Sequence, residues 1–278
     1  MRDLVAAALL AALAQPADWP QFLGPSRDGT APEAAVSLKN PRLLWKQPVG
    51  AGFSGPVVLD GKLILFHRIA NDETVDCLDA ATGKRLWRFA YATAYRDDFG
   101  FDEGPRGTPA IAGGSVFTFG AEGVLHALDL AAGRRLWRVD THPKFGVRKA
   151  FFGAAASPLV EGNAVYVNVG GPHGAGLVAF NKDNGSILWT ATDDEAGYSS
   201  PIAATLDGVR SVLCLTRAGL VAADPATGKV RFRFPWRSRS HASVNAAVPV
   251  VSGNFVWLSA SYGTGAVLLE IKANQPRQ

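Results

Sequence analysis

Four stretches of the sequence share one pattern. They are Leu78–Trp87, Leu128–Trp137, Phe180–Trp189 and Ala223–Phe232. In each, an Asp or Asn (Asp79, Asp129, Asn181, Asp224) stands four residues before a Gly (Gly83, Gly133, Gly185, Gly228). That Gly stands four residues before an aromatic: Trp87, Trp137, Trp189 or Phe232. A second marker keeps phase with the first. Gly55-Pro56, Thr108-Pro109, Ser157-Pro158, Ser200-Pro201 and Val248-Pro249 recur upstream, and Pro leads the closing aromatic by 31, 28, 31 and 31 residues. The Trp87-to-Trp137 and Trp137-to-Trp189 steps are 50 and 52 residues, and 43 more lead to Phe232. Self-similarity at that period marks a repeat architecture in which each unit is one small sheet.

Each unit reads as four short strands. In the first, Pro56–Leu59 is followed by an Asp60-Gly61 turn, then by Leu63–Phe66, Val75–Leu78 and Arg85–Phe89, with the Asp79–Gly83 turn before the last. The Asp of such a turn accepts hydrogen bonds from its own backbone and the Gly takes positive φ. Thirty Gly and seventeen Pro supply the chain reversals this needs. A four-stranded antiparallel unit of about 45–50 residues has the size of a propeller blade. One such sheet cannot bury both faces alone, so blades must stack. A Trp buries roughly 150–250 Å², worth roughly 4–6 kcal/mol as an upper bound. The expected docking aromatics are Trp87, Trp137, Trp189 and Phe232, with Trp45 as an N-terminal counterpart.

The Asp-x-x-Thr-Gly-x-x-x-Trp pattern resembles the tryptophan-docking repeat of pyrroloquinoline-quinone-like propellers. That family includes quinoprotein alcohol dehydrogenases and the propeller lipoprotein of the outer-membrane β-barrel assembly machine. The resemblance covers about Leu43 to Lys272. Trp19-Pro20-Gln21-Phe22-Leu23-Gly24-Pro25 with Arg27-Asp28-Gly29 is similar to the opening of secreted bacterial members. The fold class is therefore all-β: a β-propeller of four-stranded antiparallel blades over residues 43–278, about five of them present, as part of a seven- or eight-bladed ring. Only three strands of the fifth unit are legible, Pro249 to Ile271. A closed five-bladed ring is the alternative, with Leu43-Leu44-Trp45-Lys46 supplying the missing outer strand. In the family's dehydrogenases, pyrroloquinoline quinone lies between a Trp and a ring of adjacent cysteines, with calcium held by acidic and amide groups. Here the two cysteines, Cys77 and Cys214, are far apart, and the family's calcium ligands and catalytic base cannot be assigned to any position. They read as buried, unpaired thiols.

The resemblance also implies export. Arg2 precedes a ten-residue apolar run, Leu4–Leu13, and Ala12-Leu13-Ala14 fits a small-x-small cleavage site. The run is too short to span a bilayer. Residues 1–14 are expected to be a signal peptide and 15–42 an extended segment, giving a periplasmic or secreted protein with no membrane span. Net charge is +4, with no basic run interleaved with aromatics, so nucleic acid is not an expected partner.

Chemistry-bearing residues gather on the linkers between units. The first linker holds Asp97, Asp98, Asp102, Glu103 and Arg106, and the second holds Arg148, Phe151 and Phe152. On the third stand Asp194, Glu195 and Tyr198, and on the fourth Arg239 and His241. Such a rim is suited to a protein or other cell-envelope partner. The acids of the first linker resemble hard-cation ligands in type but match no EF-hand spacing. No His-Glu-x-x-His, Gly-x-Ser-x-Gly, phosphate loop or zinc-spaced Cys/His set occurs. The expected function is a non-catalytic binding scaffold with no cofactor. The alternative is a dehydrogenase dependent on pyrroloquinoline quinone and calcium, or a degenerate relative of one.

Overall fold

The computed structural model describes residues 18–31, 39–149, 151–240 and 244–278. The expected signal peptide and His241 lie outside the described residues. Five four-stranded antiparallel sheets follow one another along the chain, each in simple meander order. Blade 1 is β1 (Val57–Leu59), β2 (Lys62–Ile69), β3 (Asp72–Asp79) and β4 (Arg85–Ala92). Blade 2 is β5 (Ala110–Ala112), β6 (Ser115–Phe119), β7 (Val124–Asp129) and β8 (Arg135–Asp140), followed by a one-turn helix α1 (Thr141–Phe145). Blade 3 is β9 (Leu159–Glu161), β10 (Ala164–Val167), β11 (Leu177–Asn181) and β12 (Ile187–Ala191). Blade 4 is β13 (Ile202–Leu206), β14 (Val209–Leu215), β15 (Gly219–Ala223) and β16 (Val230–Pro235). Blade 5 is β17 (Val250–Ser252), β18 (Phe255–Ala260), β19 (Gly265–Lys272) and β20 (Gln275–Arg277). The fifth blade thus has the fourth strand that the sequence pattern left out, joined through a tight Ala273-Asn274 turn, both residues at positive φ.

The core lies between sheets. Four apolar clusters fill four blade interfaces. Phe66, Val75 and Cys77 meet Ile111, Val116 and Leu128 between blades 1 and 2. Phe117, Phe119 and Trp137 meet Val165, Val178 and Phe180 between blades 2 and 3. Ala179 and Trp189 meet Val212 and Cys214 next, and Leu213, Leu215 and Phe232 meet Val256, Leu258 and Leu269 last. Alternation along each inner strand serves two interfaces at once, because successive side chains point to opposite faces.

Four Trp dock each on the turn of a following blade. The indole N–H donates to a turn carbonyl there: Trp45 to Ala80 at 3.0 Å, Trp87 to Leu130 at 3.0 Å, Trp137 to Lys182 at 2.9 Å and Trp189 to Pro225 at 2.9 Å. The ring lies flat on the turn glycine. A Cβ built on Gly83, Gly133, Gly185 or Gly228 would come within 2.5–2.8 Å of the indole of the preceding blade. These glycines therefore hold a positive φ and form the floor of a neighbour's Trp seat. Where blade 4 offers Phe232, blade 5 has no such glycine, only Ala273-Asn274. The donor and its seat change together.

The residue before each marker Pro makes a second tie. Gly55 N–H donates to Thr108 Oγ1 (3.1 Å), Thr108 N–H to Ser157 Oγ (2.9 Å) and Ser157 N–H to Ser200 Oγ (2.8 Å). The belt runs from blade to blade and ends at Val248, which has no hydroxyl. The segment 18–31 crosses the innermost strands. Trp19 exchanges both backbone hydrogen bonds with Val58 of β1, Ile111 of β5 donates to Pro20 O, and Arg27 reaches Pro158 O beside β9. It is a strap across the propeller's inner wall.

The arc is open. Leu43–Lys46 joins no sheet, so it does not act as the outer strand of blade 5, and Trp45 instead caps the first face of blade 1. On blade 5 the face turned away from blade 4 leaves Val250, Phe255, Trp257 and Leu268 about half exposed.

Candidate functional site

Strands alternate in direction, so the four inter-blade linkers share one face and the Asp-x-x-x-Gly turns share the other. On the linker face, residues 93–109, 141–149, 151–158 and 192–201 converge. The first linker is folded on itself by its own charges. The Asp97 side chain is almost fully buried, pairs with Arg106 (3.5 Å) and accepts Phe101 N–H at 2.6 Å. Asp102 accepts Gly104 N–H at 2.6 Å. Arg106 donates to the carbonyls of Asp102 and Gly104, and its guanidinium is sandwiched between Phe53 (5.4 Å) and Tyr95 (5.3 Å). Glu103 pairs with the buried Arg68 and with Arg96, both at 3.4 Å. Asp98 reaches across to Lys149 of the second linker at 2.7 Å.

The third linker is tied similarly. Asp194 accepts from Thr216 Oγ1 (2.8 Å) and pairs with Arg233, and Glu195 pairs with Arg217 at 2.6 Å. Tyr198 Oη accepts Phe152 N–H at 2.6 Å, and burial pushes the phenol up to about 12. Arg148 is exposed and lines a cleft of about 520 Å³ between the second and third linkers, opposite Glu195. Arg239 is exposed on the fourth linker, apart from the others. Asp97, Asp98, Asp102, Glu103, Arg106, Asp194 and Glu195 thus hold loops together. Among the described residues no group of three or more His, Cys, Asp or Glu side chains is placed to hold a metal ion.

Those ion pairs frame an aromatic cluster whose Phe residues are visible in the linkers but whose meeting across two linkers is not. Phe152 is central. It packs on Phe99 (5.1 Å), Phe101 (5.9 Å) and Tyr198 (5.8 Å), while Phe99 also meets Phe151 (6.0 Å). The Arg217 guanidinium lies over the Phe151 ring at 5.5 Å. Phe99 remains 52% exposed and Phe101 70%, so half the cluster faces solvent. The available signal was four Phe in otherwise polar linkers, with no strand to bury them.

The fit of a quinone site can be judged from the cysteines. Cys77 lies in blade 1 and Cys214 in blade 4, both buried and both free, and burial raises both thiols. No adjacent pair lines a cavity, and the described residues do not fit a quinone held with calcium.

Successive four-stranded sheets with Trp docked on the next blade's turn define a β-propeller of the pyrroloquinoline-quinone-like repeat class. The family model described as outer membrane protein assembly factor BamB matches residues 71–278, and the chain belongs to that family. Curated relatives include a quinoprotein ethanol dehydrogenase of Pseudomonas aeruginosa, 25% identical over 81% of this chain and 40% of its own length. Another is the dehydrogenase subunit of a quinone alcohol dehydrogenase of Gluconacetobacter polyoxogenes, 30% identical over 48% of this chain and 19% of its own. The chain spans less than half the length of these relatives. Among solved structures, quinohemoprotein alcohol dehydrogenase from Comamonas testosteroni superposes with a TM-score of 0.61 at 19% identity, covering 93% of this chain and 46% of that one. BamB from Moraxella catarrhalis gives 0.50 at 19% identity, covering 82% and 75%. Both likenesses speak for the fold.

Proposed function

We propose that this chain is a cell-envelope propeller scaffold that holds a protein partner against its linker face, with Phe99, Phe101, Phe151 and Phe152 as the anchor. The observation that carries this is the half-exposed aromatic cluster built from two linkers and ringed by ion pairs. Aromatic anchors inside a polar rim are the usual anatomy of a protein-binding hot spot. The self-paired charges around it fix the loops in advance, which lowers the ordering cost of binding. The family's description as an assembly factor agrees with this reading. No helix among the described residues is long and apolar enough to cross a membrane.

A photo-crosslinking side chain at Phe101, installed in the cells that make the protein, tests the proposal. One discrete protein adduct is expected, abolished by Phe99→Ala with Phe151→Ala. The same probe at Asp183, on the turn face, should give none. Matching adducts from both positions would remove the linker face from consideration. The quinone alternative rests on the dehydrogenase relatives alone. Saturable quinone binding in the presence of calcium would revive it.

A further inference from the structure

Arg27 is buried on the inner wall of the propeller, 6% exposed, and no carboxylate stands against it among the described residues. Its partners are all neutral. Nη1 donates to Gln21 Oε1 at 3.2 Å and Pro158 O at 3.0 Å, Nη2 reaches Ser157 O at 3.5 Å, and Nε has no partner. The contrast with other buried arginines is plain. Arg68 has Glu103 and Arg106 has Asp97. A buried charge is costly unless it is paired, and a guanidinium keeps its proton at any physiological pH. Burial pulls this one down only to about 10.

Arg27 also lines a cavity of about 480 Å³ between the strap and the inner strands of blades 4 and 5. That volume is in the usual range for small-molecule sites. Its walls are mostly apolar: Phe22 and Leu23 on the strap, and Ile202, Val248 and Val251 opposite. Asp28 is at its edge, exposed, and accepts hydrogen bonds from Thr30 N and Oγ1 instead of meeting Arg27. A lone buried cation beside an apolar chamber calls for a ligand with one negative charge and a hydrocarbon body. A phosphate dianion would ask for more donors than one guanidinium and would leave the apolar walls unused.

We propose that this inner-wall cavity binds a small monocarboxylate with an apolar body, its carboxylate paired with Arg27 and its hydrocarbon packed against Phe22, Leu23 and Val251. The site is independent of the linker face.

Calorimetric titration of the full chain with sodium octanoate, and with 1-octanol as the neutral counterpart, tests it. Octanoate should bind saturably at one site, and octanol at least about tenfold more weakly, because a charge-assisted pair is lost. Arg27→Gln removes the charge and keeps a polar side chain at the position. It should weaken octanoate at least about tenfold while melting no lower than the native chain without ligand. Ala247→Trp, at an exposed position on the cavity wall, should abolish octanoate binding with an unchanged melting temperature, and it serves if the Arg27 variant does not fold. Equal binding of octanoate and octanol, full binding by Ala247→Trp, or no saturable heat would overturn the proposal.

Discussion

Thr118 and His126 lie opposite one another on β6 and β7, both fully buried, and neither the hydroxyl nor either ring nitrogen has a hydrogen-bond partner. The imidazole packs on Tyr91 (4.5 Å) and Phe89 (5.2 Å) in the interface with blade 1. Desolvation, with Arg138 and Arg135 nearby, pushes it down to about 3 from an ordinary 6.5. A histidine whose folded pKa is depressed supports the fold above pH 6.5 and withdraws that support as pH falls toward 3. The nearby Glu73, which accepts from Tyr91 Oη and Ala121 N–H, is shifted up by burial and acts in the opposite sense. Its stabilising share is present at low pH and lost as pH rises. Comparison of native and variant chains therefore isolates the histidine. His126→Leu should be more stable than native by about 1–2 kcal/mol at pH 5, with a smaller gain at pH 7.5, since each pH unit is worth up to about 1.4 kcal/mol. Urea melts at both pH values measure this, and a gain that does not grow on acidification would refute it.

At the scale of the blade, the Asp-x-x-x-Gly turn has two duties. Asp79 Oδ1 accepts Thr82 N–H (2.8 Å) and Oγ1 (2.7 Å), which forms the turn and draws the carboxyl below its ordinary range. Gly83 then carries the Trp45 ring, as Gly133 carries Trp87. Gly61, in the β1–β2 turn, has nearly the same φ, 69° against 70° at Gly133, but open space where a Cβ would go. Gly61→Ala should cost about 1 kcal/mol for the left-handed backbone alone. Gly133→Ala adds displacement of a docked indole and should cost about 2–5 kcal/mol. Paired denaturation curves give the difference directly, and equal costs would mean that the seat contributes nothing.

For the whole molecule, stacking leaves one apolar sheet face uncovered. Phe255, Trp257 and Leu268 stand where the pattern of the other interfaces places a neighbouring blade, and β20 pairs with only the last three residues of β19. An open edge beside an apolar face invites association. Sedimentation velocity should therefore show concentration-dependent association of the native chain, reduced by Trp257→Lys with Phe255→Lys, and insensitive to Leu86→Lys on the outer strand of blade 1. Native chain that stays monomeric across the concentration range would show this face to be inert.

The sequence by itself determined the first four blades: the period, the four strands per unit, the Asp and Gly of each turn and the aromatic that closes it are all local or strictly repeated features, whereas the last strand of blade 5, which lacks them, was not legible. It showed Thr108, Ser157 and Ser200 before the marker prolines without revealing that each hydroxyl takes a hydrogen bond from the preceding blade. Tertiary structure alone decided that each glycine seats the Trp of a different blade, that four linker Phe meet, that the linker acids are spent on their own loops, and that Arg27 lies uncompensated beside a cavity. Those contacts join residues tens to more than a hundred positions apart, such as Arg27 with Pro158. Turn and strand preferences are set by neighbours along the chain, whereas pairings across that distance exist only once the sheets have stacked.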